Sequence, residues 1–524
     1  MNLLVIIGLG YGADYFQADL HSLSRGQSNP ESFNFPDDNT LRFIGIMAQF
    51  PDEVPDNPKT SGNGQFLSDT SESYIRFFES EIHRCEDFLV DKPPHNASYF
   101  QAQLHAVGNY YEHVSNNNLF YTAEIISNSS EHGYYTVSRE MEHYAKGDAL
   151  LAEFFSEALD SAKSDIDVYF TTTTFTPNDV IFVVFHAGLS QDFSYPSLDP
   201  TIYDLKSAYI DTIMMEDIMP TIILHDGNSY DINTGILLPE TQNIIYYNVV
   251  EDIFGNPDNG TEDLCDIQVG ITGIFAFLLG YELGLPPMFD TETGHPGVGN
   301  FALMDYGSNN GRGVIPAAPT PWTRIQADWS TEINIDSLEI IIEAHDTTVY
   351  RFDIAEDEYF LIENRNNWVL AEADIDSLRK KHKIDDDQLG HWFDVVTAST
   401  GEFVQNNLIE IDEDTDVITR FNHYDYGLPG SGILIWHIKE PDENLYSIGV
   451  NNNKYNRHVQ IEEADGSLDI GFESYAFFSS DDPTTGTPWD MWYDGNEAYD
   501  FSNPERYTVT FNNWSNPNTR TTDG

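Results

Sequence analysis

Basic residues are scarce in this chain. Its 24 Lys and Arg face 87 Asp and Glu, which gives a formal net charge of −63 over 524 residues. So acidic a surface repels phosphates, which excludes nucleic-acid binding and adhesion to anionic membranes. Three origins for the charge are open: a solvated surface suited to a salty habitat, acidic loops that hold calcium, or plain solubility. A mixture of the first two fits best. Cysteine is almost missing: only Cys85 and Cys265 occur. They do not have the spacing of a cysteine zinc site, and one disulfide or two buried thiols both stay open. No uncharged run is long enough to cross a bilayer, so no membrane span is expected. The Gly430–Gly432 turn lacks the G-x-S-x-G frame of a serine nucleophile, and no phosphate-binding glycine loop follows a strand. A carboxylate-pair hydrolase stays open, although none stands out among so many acids.

Aromatic residues at 13% and hydrophobic residues at 40% indicate a folded chain, and its length allows two to four domains. One apolar stretch leads the rest: residues 268–290, QVGITGIFAFLLGYELGLPPMFD, with the turn at 299–308, GNFALMDYGS. Ile271, Ile274, Phe275, Leu278, Tyr281 and Leu285 recur at helical spacing. The flanking positions are apolar or Gly, which predicts a helix buried on nearly all sides and ended by Pro286 and Pro287.

Several other stretches stand in a set order. The strand LRFIGIMAQFP lies at 41–51, and His-Ala-Gly at 186–188 follows an apolar strand. Further on come PAAPTPWTRIQADW at 316–329, EYFLIENR at 358–365, GLPGSGILIWHIK at 427–439 and RHVQIEEADGSLDI at 457–470. Together with the central stretch, this series resembles the immune-inhibitor-A-type metallopeptidases, a family of secreted bacterial enzymes. The family's zinc helix reads A-H-E-F-G-H-D-L-G-L-P-D, whereas this chain reads AFLLGYELGLPP from Ala276 to Pro287. Phe277 and Tyr281 stand where the zinc-binding histidines should be, Leu278 replaces the glutamate base, and Pro287 takes the slot of the third ligand. Met304 falls where such enzymes place a methionine turn under the metal.

In the intact motif, two imidazoles at i and i+4 share one helix face and reach one zinc, while the adjacent carboxylate activates its water. Phe and Leu offer no lone pair, and a Tyr hydroxyl with a pKa near ~10 is a poor substitute. Zinc is therefore not expected. Other histidines that could recruit metal are His186, His295 and His437. The first is read as a hydrogen-bonded strand-end residue, the second as a loop residue facing solvent, and the third as structural.

The expected fold is α+β. A zincin-like metallopeptidase domain spans 40–330, and a β-rich, sandwich-like region spans 331–524 with a charged helical insertion near 371–391. Residues 1–39 read as a leader or pro-segment, because the apolar run at 3–9 and the small residues after it resemble the end of a signal peptide. A short buried strand is the alternative there. Expected elements include helices at 71–88 and 141–163 and aromatic-rich strands over 99–123. Further strands are expected at 180–185, 243–250, 337–344, 348–354 and 358–365. The ending NPNTRTTDG reads as a turn, so the chain is expected to be part of a longer protein.

Glu462, Glu463, Asp465 and Asp469 crowd one turn around Gly466, a hard-oxygen set that suits Ca2+ without EF-hand spacing. Asp481, Asp482, Asp490 and Asp494 form a second, weaker cluster. The reading overall is a secreted or cell-surface pseudopeptidase with a binding or structural role towards a protein or peptide partner. An active metal-dependent endopeptidase with unusual ligands is one alternative. A calcium-stabilised module of a larger cell-surface protein is another.

Overall fold

A computed structural model describes residues 32–68, 90–130, 132–192, 201–224, 226–243, 269–335, 340–344, 347–367, 408–440, 449–472, 483–506 and 508–521, with Leu20 and Leu23. Most of the expected leader, the helix expected at 71–88, most of the strand expected at 243–250, the charged insertion, Asp481, Asp482 and both cysteines lie outside these residues.

The alternating run TLRFIGIMAQ forms β1 (Thr40–Gln49), nearly all of it buried. After it come α1 (Ala97–Val114), β2 (Phe120–Ile126), β3 (Tyr135–Thr136), α2 (Met141–Tyr144) and α3 (Asp148–Thr172). β4 (Ile181–His186), β5 (Ala208–Ile210), α4 (Thr212–Met215), the hairpin β6 (Thr221–Ile223) and β7 (Ser229–Asp231), and β8 (Gly235–Pro239) complete the first sheet region. The sheet runs β2-β1-β4-β8-β5, with β3 also beside β1. β1 is parallel to β2, β3 and β4, and β4 is parallel to β8. Only the outer strand β5 is antiparallel. Parallel strands covered on both faces read as continuous apolar runs, as IFVVFH in β4 does.

Residues 99–114 are helical, not the expected strands. Asn96 caps α1 through its side chain, which accepts from the amides of Ser98 and Tyr99. Tyr99, Phe100, Gln103, Leu104, Val107, Tyr110, Tyr111 and Val114 then line one buried stripe at helical spacing. The aromatic content suggested strands, but periodicity outweighs propensity here.

The central stretch forms α5 (Thr272–Glu282), shorter than the sequence pattern predicts. Its end is set by Gly284, not by the prolines. Gly284 has φ +75°, its amide donates to the Tyr281 carbonyl at 3.0 Å, and the Leu285 amide reaches the Gly280 carbonyl at 2.8 Å. That pair of bonds is a Schellman cap. α6 (Pro321–Gln326) follows, and then the second sheet.

The second sheet contains β9 (Thr331–Asn334), β10 (Thr348–Asp353) and β11 (Glu358–Arg365). The pair β12 (Ile409–Ile411) and β13 (Ile418–Phe421) stands apart from it. β14 (Gly432–Lys439) and β15 (Val459–Ile461) complete it, before α7 (Glu497–Ser502). The order is β15-β14-β11-β10-β9. β11 pairs antiparallel with β14 over its whole length, so EYFLIENR and GILIWHIK are direct neighbours. Residues 340–344 form no strand. The molecule is a mixed α+β fold, and one apolar cluster extends from Leu41 through α5 to Trp436 and Met491.

Candidate functional site

α5 is packed on every side. Phe275 faces the first sheet, with ring centroids 6.0 Å from Phe43 and 6.4 Å from Phe185. Phe277 and Leu278 are wholly buried, and Tyr281 is nearly so. Phe277 meets Tyr281 edge-on at 5.5 Å and lies 6.1 Å from Phe289, while Tyr281 stacks on Tyr209 of the outer strand β5 at 6.2 Å. Pro287 is also buried. The positions where the family carries its metal ligands and base thus hold a small aromatic core. Each such side chain contributes roughly 1.5–3 kcal/mol by leaving water.

The local electrostatics also oppose metal binding here. Burial pushes the Tyr281 hydroxyl far above its usual range, so it is a neutral phenol. Among the described residues, that hydroxyl has no hydrogen-bond partner. Beside it, burial raises Glu282 above the usual carboxylate range against hydrogen bonds from Tyr209 and Thr234. Zinc does not fit these residues. Met304 lies directly under the helix: a Cβ built on Gly280 would stand 2.3 Å from its Sδ. The next residue, Asp305, organises the turn. Its Oδ2 accepts from the amides of Gly297, Val298 and Gly299 at 2.7–2.9 Å, and its Oδ1 accepts from Tyr306.

The three histidines lie in different places. His186 ends β4 between the rings of Phe50 and Phe154, with Nδ1 2.9 Å from the Ala187 carbonyl. Burial lowers its pKa to about 4, so it is neutral. His295 is half-buried in its loop, with Nδ1 2.7 Å from the Thr293 hydroxyl. His437 sits in β14 between Glu462 and Glu358, 2.7 Å from each. Among the described residues, no metal-holding group of three includes any of them. A fourth histidine, His95, went unnoticed in the sequence. It is fully buried, with Nδ1 2.6 Å from Glu240 and Nε2 3.1 Å from the Asp91 carbonyl, so both ring nitrogens are engaged.

The acidic turn is divided by the strand before it. Glu462 turns to His437, whereas its neighbour Glu463 points the other way and joins Asp469 and Asp490. One oxygen from each of these three lies within 4.8 Å of the other two. Asp490 belongs to the second cluster, which the sequence leaves separate. A short 3-10 turn (Pro488–Asp490) brings it in, and the Thr487 amide donates to its Oδ2 at 2.6 Å. Asp465 stays at the rim, where its charge acts on both Glu463 and Asp490. Asp494 is exposed.

An open cavity of about 910 Å³ lies beyond the carboxyl ends of β1 and β3, lined by residues such as Gln49, Gln65, Tyr134 and Thr136. Among the described residues, its lining has no Asp, Glu, Lys or Arg. Among the described residues, no helix is long and apolar enough to cross a membrane. No protein-family model matches the chain, and a search of curated proteins finds no significant match.

Proposed function

We propose that this chain is a zincin-like pseudopeptidase related to the immune-inhibitor-A metallopeptidases, secreted or displayed at a cell surface, that binds a protein or peptide without cleaving it. The observation that carries this reading is the burial of Phe277, Leu278 and Tyr281, which fill with apolar packing the place a zinc ion and its water would need. The frame around that place supports the relationship. A Schellman turn closes L-G-L-P, Met304 lies beneath the helix, and one antiparallel strand, β5, borders the first sheet beside Tyr281. Among the described residues β5 pairs with a strand on one side only, which leaves a backbone edge to which an extended peptide can add. Such a peptide would pair with the β5 backbone, outside the packed rings of α5.

The test is metal analysis of the purified chain together with cleavage of an unfolded protein substrate, with and without a chelator. We expect no stoichiometric zinc and no chelator-sensitive cleavage. One zinc per chain accompanied by such cleavage would overturn the proposal.

A further inference from the structure

We propose that Glu463, Asp469 and Asp490 form a calcium site that fastens the segment around Asp490 to the end of the second sheet.

Four observations carry the assignment. First, the three carboxylates converge from separate places: Glu463 just after β15, Asp469 in the turn that follows, and Asp490 from a distant segment. Second, Asp490 is fully buried, and among the described residues its Oδ1 accepts no hydrogen bond, although buried polar atoms nearly always find a partner. Third, among the described residues, Arg457 makes no ion pair with Glu463 or Asp490. It acts on Glu463 from nearby, but its Nη2 donates to the carbonyls of Pro296 and Ile470 at 3.2 and 2.7 Å. Burial and then the Asp490 charge push Glu463 well above the usual carboxylate range. Burial and then the Asp465 charge do the same to Asp490. Fourth, the donors fit one class of ion. They are all hard oxygens with no His or Cys, which selects against zinc and other nitrogen- or sulfur-seeking metals. Calcium bonds oxygen at roughly 2.3–2.6 Å, so two of its ligands stand up to about 5 Å apart, in keeping with the 4.8 Å limit seen here. Asp465 at the rim and water would complete its larger shell.

The position gives the ion a structural task. The Gly471 amide donates to the Thr484 carbonyl at 2.8 Å, and a Cβ on Gly299 would stand 2.1 Å from the Thr485 carbonyl. The 483–490 segment therefore touches both the acidic turn and the glycine loop that Asp305 holds beneath α5. Calcium would tie these three parts together.

This proposal does not depend on the peptidase relationship, and its test is separate from zinc analysis. Calcium titration of the full chain by calorimetry should give one saturable site with a Kd of roughly 10⁻⁵–10⁻³ M. Terbium should show luminescence sensitised by Trp489 and Trp492, which flank Asp490. Chelator should lower the melting temperature of the wild type. Asp490→Asn and Glu463→Gln should both lose calcium binding. In chelator, each should melt no lower than the wild type, because each removes one of the repelling charges. Absence of saturable calcium uptake, unchanged calcium binding in both variants, or preferential binding of magnesium or zinc would overturn the assignment.

Discussion

His437 gives the second sheet a pH-dependent joint. Burial alone would lower its pKa, but the hydrogen bonds and charges of Glu462 and Glu358 outweigh that and raise it above the ordinary histidine value. A raised pKa means the folded state binds the proton more tightly than the unfolded chain does. The added stability is therefore complete below the unfolded value of about 6.5 and disappears as pH climbs through the higher folded value. We expect the melting temperature of the wild type to fall between mildly acidic and alkaline pH. In His437→Ala that fall should be smaller, on top of a loss of roughly 3–5 kcal/mol from breaking a buried charge pair. Thermal melts over the pH series check both. The same pair of adjacent glutamates shows what a sequence hides at single positions. Strand alternation sends Glu462 to a histidine and Glu463 to an acidic cluster, and only the register of β14 with β15 decides which goes where. Phe277, Leu278 and Tyr281 were legible because a local motif frames them. Asp490 was not, because its partners meet it only through tertiary contact.

α5 follows its sequence in kind and departs from it in length. Its all-round apolar pattern correctly implied burial. The prolines drew attention as terminators, but the chain has already turned at Gly284, where a backbone with φ +75° closes two capping bonds. A side chain there meets two obstacles. The left-handed conformation costs a non-glycine residue roughly 1–2 kcal/mol, and a Cβ would stand 2.0 Å from the Ser32 carbonyl. Gly284→Ala should therefore destabilise the protein by more than that backbone cost, as read from denaturant midpoints. A neutral result would mean that the cap is dispensable. α1 is the converse case. Its tyrosines and phenylalanines favour strands one by one, and the Asn96 cap with the helical stripe decides the matter together.

Charge as well as oil fastens α6 and the turn at Asp425 to the second sheet. Arg324 of α6 pairs with Glu363 of β11, which also holds Arg365 at 3.1 Å and accepts from the Trp436 indole at 3.0 Å. Arg365 in turn reaches Asp425 at 2.7 Å. All of these groups are largely buried. Glu363→Gln would take the counter-charge from Arg324 and leave Arg365 to Asp425, and we expect a loss of roughly 3–5 kcal/mol measured by chemical denaturation. A change below 1 kcal/mol would show the network to be dispensable. The α+β character and two strands of the second sheet, β10 and β11, were readable from strand patterns. This ionic joint was not, because its members are scattered over about a hundred residues of chain. The tight enclosure of α5 has one more consequence. With its faces occupied by the protein's own rings, the helix presents nothing to a visitor. Any associate must be recognised on the outer skin, where the electrostatic field is strongly negative, and dilute electrolyte would strengthen an encounter with a cationic surface.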